Sequence, residues 1–335
     1  MIQKSATGEA SGEFLPGRVS VDSPHITLVV NPDAGRGRAR RMLPRVCAEL
    51  LTGIPEAHLR VYQTNSFDEA RHRTLAAVET SRPTRPGHRG DTLVVMGGDG
   101  MVHLGLNACA TTDVSLGIIP AGTGNDFSRG VGLPANIMSA TRVIVAGHTR
   151  RIDLSSASGA VHGPEPRFVG SVVSSGYDAR VNRRTNAITL PLGPLAYGYV
   201  AMSELATFEP LHYHLSIDGE QRTLPAMFVA VGNAGFFGGG MKVCPDYDLT
   251  DGLLDVTIVH PVSRATLLRL LPTMYTGGFV KDPAVEQLRA RRIDVNGSGL
   301  FTMADGEELG EVPVSVECVP RAVSVHVPLT GVAAQ

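Results

Sequence analysis

The sequence predicts an α/β N-terminal domain, with a parallel, Rossmann-like sheet between two helical layers, followed by a C-terminal antiparallel β-sandwich. Apolar strands alternate with helical patterns from His25 to about Arg150, whereas short strands separated by turn residues dominate afterwards. The length of 335 residues also exceeds what one hydrophobic core usually supports. We therefore expect two domains, at residues 25–150 and 151–321.

The elements of the first half follow from short sequence patterns. "HITLVVNPDAGRGRARRMLPRVCAEL" predicts a buried strand, a glycine-bearing turn and a basic helix in which Pro44 causes a late start, a break or a kink. A second strand, "LRVYQT", precedes a helix whose Ser66 and Glu69 form a capping-box pattern. "DTLVVMGG" and "VSLGIIP" are further strands, with the helical "MVHLGLNACA" between them. This alternation predicts ligand binding at the carboxyl ends of the parallel strands.

The strands of the second half are shorter. They are predicted at "RFVGSVVSSG", "HYHLSID", "PAMFVAVGNAG", "LLDVTIVH", "RRIDVNG" and "VPVSVECV". Two helical segments are expected among them, at "PLAYGYVAMSELATF" and "SRATLLRLLPTMYTG". This order is typical of an antiparallel sandwich or a flattened barrel.

Composition and local sequence features argue against several classes of protein and indicate a cellular location. A net charge of −2 argues against a nucleic-acid-binding protein. Residues 1–24 lack the apolar core of a secretory signal and are expected to form a disordered leader. Charge-free stretches at residues 185–203 and 223–241 reach membrane-spanning length, but their prolines and glycines argue against spanning helices. The cysteines lie far apart without a CxxC pair, which indicates reduced thiols in a cytoplasmic protein rather than a zinc site or a disulfide framework; they are Cys47, Cys109, Cys244 and Cys318.

Three predicted strand ends lead into glycine-rich loops: "NPDAGRGRAR", "GGDGM" and "PAGTGNDFSR". Such turns bind phosphate because unpaired backbone N–H groups and the helix dipole favour negative charge. One loop of this kind is often only a turn, but three at successive strand ends indicate a nucleotide crevice. The GxxxxGK[ST] pattern of a P-loop is absent, and GxGxxG does not occur at the first strand–helix turn.

"GGDG" followed by "PAGTGNDFSR" resembles the catalytic domain of the diacylglycerol kinase family, particularly the bacterial soluble lipid kinases, with sphingosine and ceramide kinases as relatives. Further segments match the family in order from about His25 to the C-terminus: "NPDAGRG", "SSGYDARVN", "GPLAYGYVAMSEL", "NAGFFGGGMKVCPDYDLTDGLLDV" and "ADGEEL". The resemblance implies an enzyme that uses ATP and Mg²⁺ to phosphorylate a lipid hydroxyl, with diacylglycerol as the expected acceptor and phosphatidic acid as the product. It also implies a last strand, at about residues 322–330, that returns to the first domain. A lipid substrate implies peripheral contact with a membrane surface, and the resemblance leaves a homodimer open.

The resemblance assigns the nucleotide site to the three loops and to one further strand end. Its residues would be Asn31 with the turn to Gly37, Thr64, Gly97, Gly98, Asp99, Gly100, Met101, Thr123, Asn125 and Asp126. The glycines would let the backbone approach the phosphates, and Asp99 would handle the Mg²⁺–ATP assembly, since Mg²⁺ prefers oxygen ligands and retains water. The alternative for Asp99 is a cap on the following helix.

Two acidic segments of the second half carry further implied roles. By the same resemblance, Glu307 is the catalytic base that accepts the proton of the lipid hydroxyl, with Asp305 as its neighbour. The carboxylate of Asp251 and the backbone carbonyls of Asp248 and Leu253 would hold a second, structural Mg²⁺. Without the resemblance, "DGEEL" is an acidic β-turn. The three acids Asp246, Asp248 and Asp251, within six positions, still indicate a cluster suited to a hard cation, with a solvated acidic turn as the alternative.

The chain departs from the family pattern GGDGT followed by x-N-E at Met101, His103 and Leu104. The loss of a threonine hydroxyl and a glutamate carboxylate leaves a non-catalytic lipid or nucleotide sensor open. His103 is expected on the helix surface, with a phosphate contact as the alternative.

A sphingoid or other lipid kinase and an NAD-kinase-like small-molecule kinase remain alternatives, and an apolar cleft would favour a lipid. Phe236 and Phe237 are expected in an apolar loop near the lipid entrance, with core packing as the alternative.

Overall fold

A computed structural model of the chain describes residues 11–14, 23–82, 87–163, 166–177, 179, 209–305 and 307–329. Within these ranges the helices are α1 (Ala34–Gly53), α2 (Phe67–Glu79), α3 (Asp99–Cys109), α4 (Asp126–Gly130), α5 (Ile137–Ala146) and α6 (Arg264–Met274), with a 3₁₀ turn at Gly278–Lys281. The strands are β1 (Ser11–Phe14), β2 (His25–Val30), β3 (His58–Gln63), β4 (Thr92–Gly97), β5 (Ser115–Pro120), β6 (Thr149–Val161), β7 (Arg167–Val169), β8 (Val172–Gly176), β9 (Leu211–Ile217), β10 (Glu220–Ala226), β11 (Phe228–Gly232), β12 (Phe236–Phe237), β13 (Met241–Lys242), β14 (Leu254–Val259), β15 (Val285–Ala290), β16 (Arg292–Asn296), β17 (Phe301–Ala304) and β18 (Glu307–His326). The helix predicted at "PLAYGYVAMSELATF" and the charge-free stretch at 185–203 lie outside the described residues.

The first domain has three layers built on the parallel strands β3, β2, β4 and β5, in that spatial order. Successive side chains of a strand face opposite sides of a sheet, and both sides are apolar here. Val95 and Leu116 pack on the side of α2 and α3, whereas Val94 and Met96 pack on the side of α1 and α5. The predicted α/β class is therefore confirmed.

The second domain is an antiparallel sandwich, as predicted. One layer contains β8, β11, β14 and β15, and the other contains β6, β18, β16, β9 and β10. Apolar side chains from both layers, among them Val229, Ile258, Val295 and Val316, form the core between them. The outer face of the first layer is covered by α6 and by the β12–β13 hairpin.

The strand β18 joins the two domains. Its first part pairs with β17 and β16 in the sandwich. Near its end, Ser324 and Val325 pair in parallel with Ser115 and Leu116 of β5. The end of the chain therefore lies in the first domain, next to a strand that leads into one of the glycine-rich loops.

Two local expectations are corrected by the structure. The expected disordered leader at residues 1–24 contains the strand β1, which pairs antiparallel with residues 59–62 of β3. Without β1, β3 would be an exposed sheet edge, and unpaired edge N–H and C=O groups favour the addition of a strand. In α1 the break lies at residues 35–37, which have positive φ, whereas Pro44 lies inside the helix.

The structure also shows where the second charge-free stretch and the cysteines of the sequence lie. The charge-free stretch at 223–241 contributes to the strands β10 to β13. None of the helices in the described segments has the length and hydropathy needed to cross a lipid bilayer. The four cysteines are free thiols.

We expect His326, at the end of β18, to make stability depend on pH. Its Nε2 lies 3.2 Å from Ser115 Oγ, its Nδ1 is buried without a hydrogen-bond partner in the described structure, and burial lowers its pKa from 6.5 to about 3. The unfolded chain therefore binds a proton that the folded chain does not between these pH values. The free energy of unfolding should fall as pH falls below about 6.5, with up to about 1.4 kcal/mol per pH unit from this group.

Urea denaturation across this pH range measures the effect. His326→Gln should flatten the dependence. His212→Gln, at an exposed position of β9, is the matched control and should leave it unchanged. The same slope for wild type and His326→Gln would contradict the prediction.

Candidate active site

Three loops meet at the carboxyl edge of the parallel sheet, after β2, β4 and β5. The backbone N–H of Asn31, in the first loop, donates to Met96 O at 3.0 Å. The carbonyl of Gly97, in the second loop, accepts the N–H groups of Ala121 (2.7 Å) and Gly122 (3.1 Å) from the third. The three motifs that the sequence places at separate strand ends are therefore in direct contact.

The glycines let these loops touch each other. A Cβ atom on Gly122 would lie 2.5 Å from Gly98 Cα, and one on Gly35 would lie 2.4 Å from Ala121 O. Such distances leave no room for a side chain, and Gly35 also has a φ of 60°. Contact between loops is thus a reason for these glycines that the sequence did not reveal, while their approach to phosphates stays a prediction.

Asp99 fastens the second loop to the third. Its Oδ2 and Oδ1 accept the backbone N–H groups of Asn125 and Asp126, each at 2.8 Å. It therefore caps α4 rather than α3, which begins at Asp99 itself and has Gly98 as its N-cap. Burial raises the pKa of Asp99, although the two N–H groups favour its charged form.

Asp126 is buried at the same edge but is incompletely hydrogen-bonded. Its Oδ2 accepts the N–H of Gly239 at 2.9 Å, whereas its Oδ1 has no partner in the described part of the chain. Burial raises the pKa of Asp126 to about 6, and the neighbouring charge of Asp99 also raises it. A buried oxygen without a donor is costly, so this atom is suited to a water molecule or a cation.

The two acids of "ADGEEL" reach this edge from the second domain. The buried carboxylate of Asp305 accepts the N–H groups of Ser171 at 3.0 Å and Gly170 at 3.3 Å. Glu307, whose side chain is 45% exposed, places Oε1 3.3 Å from the position that a Cβ atom would occupy on Gly100. The structure thus brings the predicted base of the second domain against the second loop of the first.

A pocket opens between the domains beside these acids. It is lined by the carboxylates of Asp99, Asp126 and Asp305, by Ser171, Ser174 and Gly238, and by the apolar side chains of Val102, Phe127, Val172, Phe236, Phe237 and Met303. Phe237 is buried in the apolar cluster that contains α6, whereas Phe236 is half-buried and stacks edge-to-face on Tyr247, with ring centroids 5.9 Å apart. Both phenyl rings therefore pack against their surroundings and line the pocket, and their place at a lipid entrance stays a prediction.

Four other predicted residues of the nucleotide site differ in what their side chains do. The hydroxyl of Thr64 donates to the last carbonyl of β2 at 3.1 Å. The side-chain amide of Asn125 bonds both the N–H and the carbonyl of Gly122. Met101 is buried in the apolar core, so only its backbone lies at the loop. Thr123 is exposed and thus accessible to a ligand.

The predicted second metal loop is not part of the pocket lining. Asp248 Oδ1 accepts the N–H and the hydroxyl of Thr250, each at 2.9 Å, and Asp251 Oδ1 accepts the N–H of Leu253 at 2.9 Å. Asp251 Oδ2 lies 3.4 Å from Arg289 Nη1, so an arginine already supplies positive charge. Among the described residues, no three His, Cys, Asp or Glu side chains form a group suited to a metal ion. The structural Mg²⁺ site stays a prediction.

Sequence reasoning missed the side chains that connect the two domains. His103, expected on the helix surface, is buried, with Nδ1 3.4 Å from Asp305 Oδ2. Arg167 donates from Nε to His103 Nε2 at 3.2 Å and places Nη2 3.6 Å from Glu307 Oε2. The surface expectation for His103 was wrong because α3 packs against β7 of the second domain. No local pattern identifies Arg167, which simply begins a short strand.

Comparison with known proteins supports the resemblance seen in the motifs. The family model of the diacylglycerol kinase catalytic domain matches residues 25–157, and that of the YegS C-terminal NAD kinase beta sandwich-like domain matches residues 171–327. A diacylglycerol kinase of Mycobacterium tuberculosis (strain H37Rv) is 36% identical over 309 residues, which cover 91% of this chain and 96% of the relative. A Xanthomonas campestris pv. campestris protein named "Probable lipid kinase YegS-like" is 33% identical over 252 residues, which cover 71% of this chain and 79% of the relative. The chain therefore belongs to the family of diacylglycerol kinases and YegS-like lipid kinases.

Solved structures agree with the fold. A crystal structure described as a diacylglycerol kinase from Bacillus anthracis str. Sterne aligns with a TM-score of 0.68 at 20% identity, covering 93% of this chain and 100% of that chain. Another from the same strain aligns with a TM-score of 0.72 at 23% identity, covering 92% and 99%. At this identity the likeness bears on the fold alone.

We expect Gly122→Ala to lower the free energy of unfolding by about 1–3 kcal/mol, the usual cost of overpacking. The new Cβ would lie 2.5 Å from Gly98 Cα, and the backbone there cannot yield without separating the second and third loops. Urea denaturation measures the change. Gly278→Ala is the matched control, because its Cβ would meet no atom closer than 3.4 Å. Equal stability of the two variants would contradict close packing of these loops.

Proposed function

We propose that this chain is an ATP- and Mg²⁺-dependent kinase that transfers the γ-phosphoryl group to the hydroxyl of diacylglycerol. One observation carries the proposal: Glu307 Oε1 of the second domain lies beside Gly100, in a glycine-rich loop suited to phosphate. Phosphoryl transfer is catalysed mainly by positioning and electrostatics, so this juxtaposition is what the reaction needs. Relatives named diacylglycerol kinase in Mycobacterium tuberculosis and Bacillus subtilis support diacylglycerol as the proposed acceptor.

ATP would bind where the three loops meet. The exposed side chains of Asn31 and Thr123 flank this junction. The helix α3 begins at Asp99, within the second loop, so its first N–H groups and its dipole favour an anion there. The first loop adds the left-handed turn at residues 35–37, which contains two of the glycines.

The residues at this edge fit Mg²⁺. Asp99, Asp126 and Asp305 line the same pocket, and Asp126 Oδ1 is a buried acceptor to which none of the described residues donates. Mg²⁺ usually binds one or two carboxylates, substrate phosphates and several waters, so it does not require a compact set of three acids. We assign Asp99 and Asp126 to the Mg²⁺ of Mg²⁺–ATP, directly or through water. The ion, when bound, would offset the negative charge of the phosphates.

Glu307 would act as the proton acceptor. As the lipid hydroxyl oxygen forms its bond to the γ-phosphorus, the bond from that phosphorus to the β–γ bridging oxygen breaks, ADP leaves, and the hydroxyl proton passes to the Glu307 carboxylate. A half-exposed carboxylate beside the second loop is accessible to such a hydroxyl. Asp305 is buried and already accepts two backbone N–H groups, which suits a fixed neighbouring charge.

The pocket lining favours a lipid over a polar small molecule. Six apolar side chains line it beside the three acids, whereas an NAD-like substrate would need polar partners along its length. The sensor alternative rests on Met101 and Leu104, and both side chains are buried in the apolar core. The departures from the family pattern at these two positions therefore change packing beneath the loop.

We also propose peripheral contact with an anionic bilayer, through the outer face of α6. Leu268 and Tyr275 are 40% and 51% exposed, and Arg264 lies one helical turn before Leu268 on the same face. Residues 261–281 contain no Asp or Glu. An apolar face with basic residues is typical of helices that lie in a membrane interface. The inner face of α6 packs in one cluster with Phe237, which lines the pocket.

Labelled ATP with diacylglycerol, ceramide, sphingosine and phosphatidylglycerol, followed by chromatography, tests the reaction. We expect label in phosphatidic acid only, and no transfer once Mg²⁺ is chelated. Glu307→Gln should lower kcat by about 10²- to 10⁴-fold, as expected for loss of a general base. Glu308→Gln, at the adjacent carboxylate, is the matched control and should retain kcat. ATP binding without transfer to any lipid would instead establish a sensor.

Flotation with vesicles of phosphatidylglycerol and phosphatidylcholine tests the membrane contact. Leu268→Glu with Tyr275→Glu should reduce the bound fraction several-fold, because both charges would enter the interface. Leu75→Glu, at a residue of α2 that is 43% exposed, is the matched control. Equal binding of wild type and the α6 variant would rule out this face.

A further inference from the structure

His103 lies where the two domains touch, and both of its ring nitrogens have partners. Its Nε2 is 3.2 Å from Arg167 Nε and 3.3 Å from Asn107 Nδ2, while its Nδ1 is 3.4 Å from Asp305 Oδ2. A guanidinium group can only donate, so Nε2 accepts, and in the neutral ring Nδ1 carries the hydrogen and donates to Asp305. These partners hold the imidazole in one tautomer and one orientation.

Arg167 extends this network to the proposed base. Its Nη2 lies 3.6 Å from Glu307 Oε2, and its Nη1 donates to His162 O at 3.3 Å. The Arg167 side chain is only 14% exposed, so its donors depend on protein acceptors rather than on water. Loss of the His103 acceptor would therefore disturb the guanidinium group that faces Glu307.

We propose that His103 is a positioning residue for phosphoryl transfer, which holds Asp305 directly and Glu307 through Arg167. The ring belongs to α3, whose first residue is Asp99, so the network ties the proton acceptor of the second domain to the loop assigned to the triphosphate. The inference rests on the proposed function, in which Glu307 accepts the proton. The family resemblance expects asparagine at this position, and that shorter side chain does not reach the place of Nε2.

Two substitutions separate the two halves of the network. In His103→Asn the amide N–H can replace Nδ1–H toward Asp305, but Arg167 loses its acceptor. In His103→Gln the amide oxygen can replace Nε2 toward Arg167, but Asp305 loses its donor. We expect each to lower kcat by about 10- to 100-fold, the size of effect that a small misplacement produces. KM for ATP should change by less than about twofold, because the substituted side chain lies outside the three loops. A variant that weakened ATP binding equally in the ground state and in the transition state would raise KM instead.

Arg167→Met should give the same pattern without altering α3. His162→Ala is the matched control, because this exposed histidine contributes only its backbone carbonyl to Arg167. Thermal unfolding of each variant separates misfolding from misplacement. If the His103 variants lose their fold, the Arg167 variant carries the test.

The decisive measurement is the double variant Glu307→Gln with Arg167→Met. If Arg167 acts through Glu307, its replacement should cost less than about twofold in kcat once Glu307 is changed, because residues that act as a unit are not additive. Independent, multiplicative losses would overturn the inference, and so would normal kcat in folded His103 and Arg167 variants. Failure of the proposed function looks different, since Glu307→Gln alone would then retain its kcat.

Discussion

The geometry of the cleft depends on one strand, β18, which belongs to both domains. It begins at Glu307 in the sandwich and ends at His326 beside β5, whose carboxyl end leads into the third loop. Interfaces between domains of one chain usually allow relative motion, but a strand hydrogen-bonded into both sheets limits that freedom. The distance between Glu307 and the loops is therefore set by backbone pairing, while the orientation of its carboxylate depends on side chains such as Arg167.

Three carboxylates lie close together in the partly apolar pocket of the cleft. Burial raises the pKa of Asp99 and of Asp126, and a neighbouring acid adds to each effect: Asp305 acts on Asp99, and Asp99 acts on Asp126. Backbone N–H groups donate to both oxygens of Asp99 and of Asp305, whereas among the described residues they donate to one oxygen of Asp126. The proposed Mg²⁺ site rests on this uncompensated negative charge, because a bound cation would reduce the repulsion between the carboxylates.

Local signals account for what the sequence could predict. Strand–helix alternation was enough to predict the three-layer domain, and the glycine clusters were enough to predict loops at neighbouring strand ends. Glu307 and Asp305 were predicted only through the family resemblance. The features that the sequence did not predict are contacts between segments that lie far apart in the chain. His103 has the pattern of an ordinary helix residue, and its burial depends on β7, which follows much later in the chain. The contact between Gly98 and Gly122 likewise requires the register of β4 against β5, which no local pattern contains.

The departures of α3 from the family pattern have a common physical consequence. Met101 and Leu104 are buried in one apolar cluster, and the Met101 side chain packs so closely on Gly97 that a Cβ there would lie 2.4 Å from its Cγ. Methionine fills irregular core space well. At this position the second loop is therefore supported by apolar packing, whereas the threonine of the family pattern would supply a hydroxyl. Of the three departures, His103 alone retains hydrogen-bonding groups, and it directs them to the second domain. This turn of α3 therefore has fewer polar groups that could contact a nucleotide and more that contact the second domain. In the proposed reaction, the alignment of the lipid acceptor with the phosphoryl donor thus depends on the packing of α3 against the sandwich.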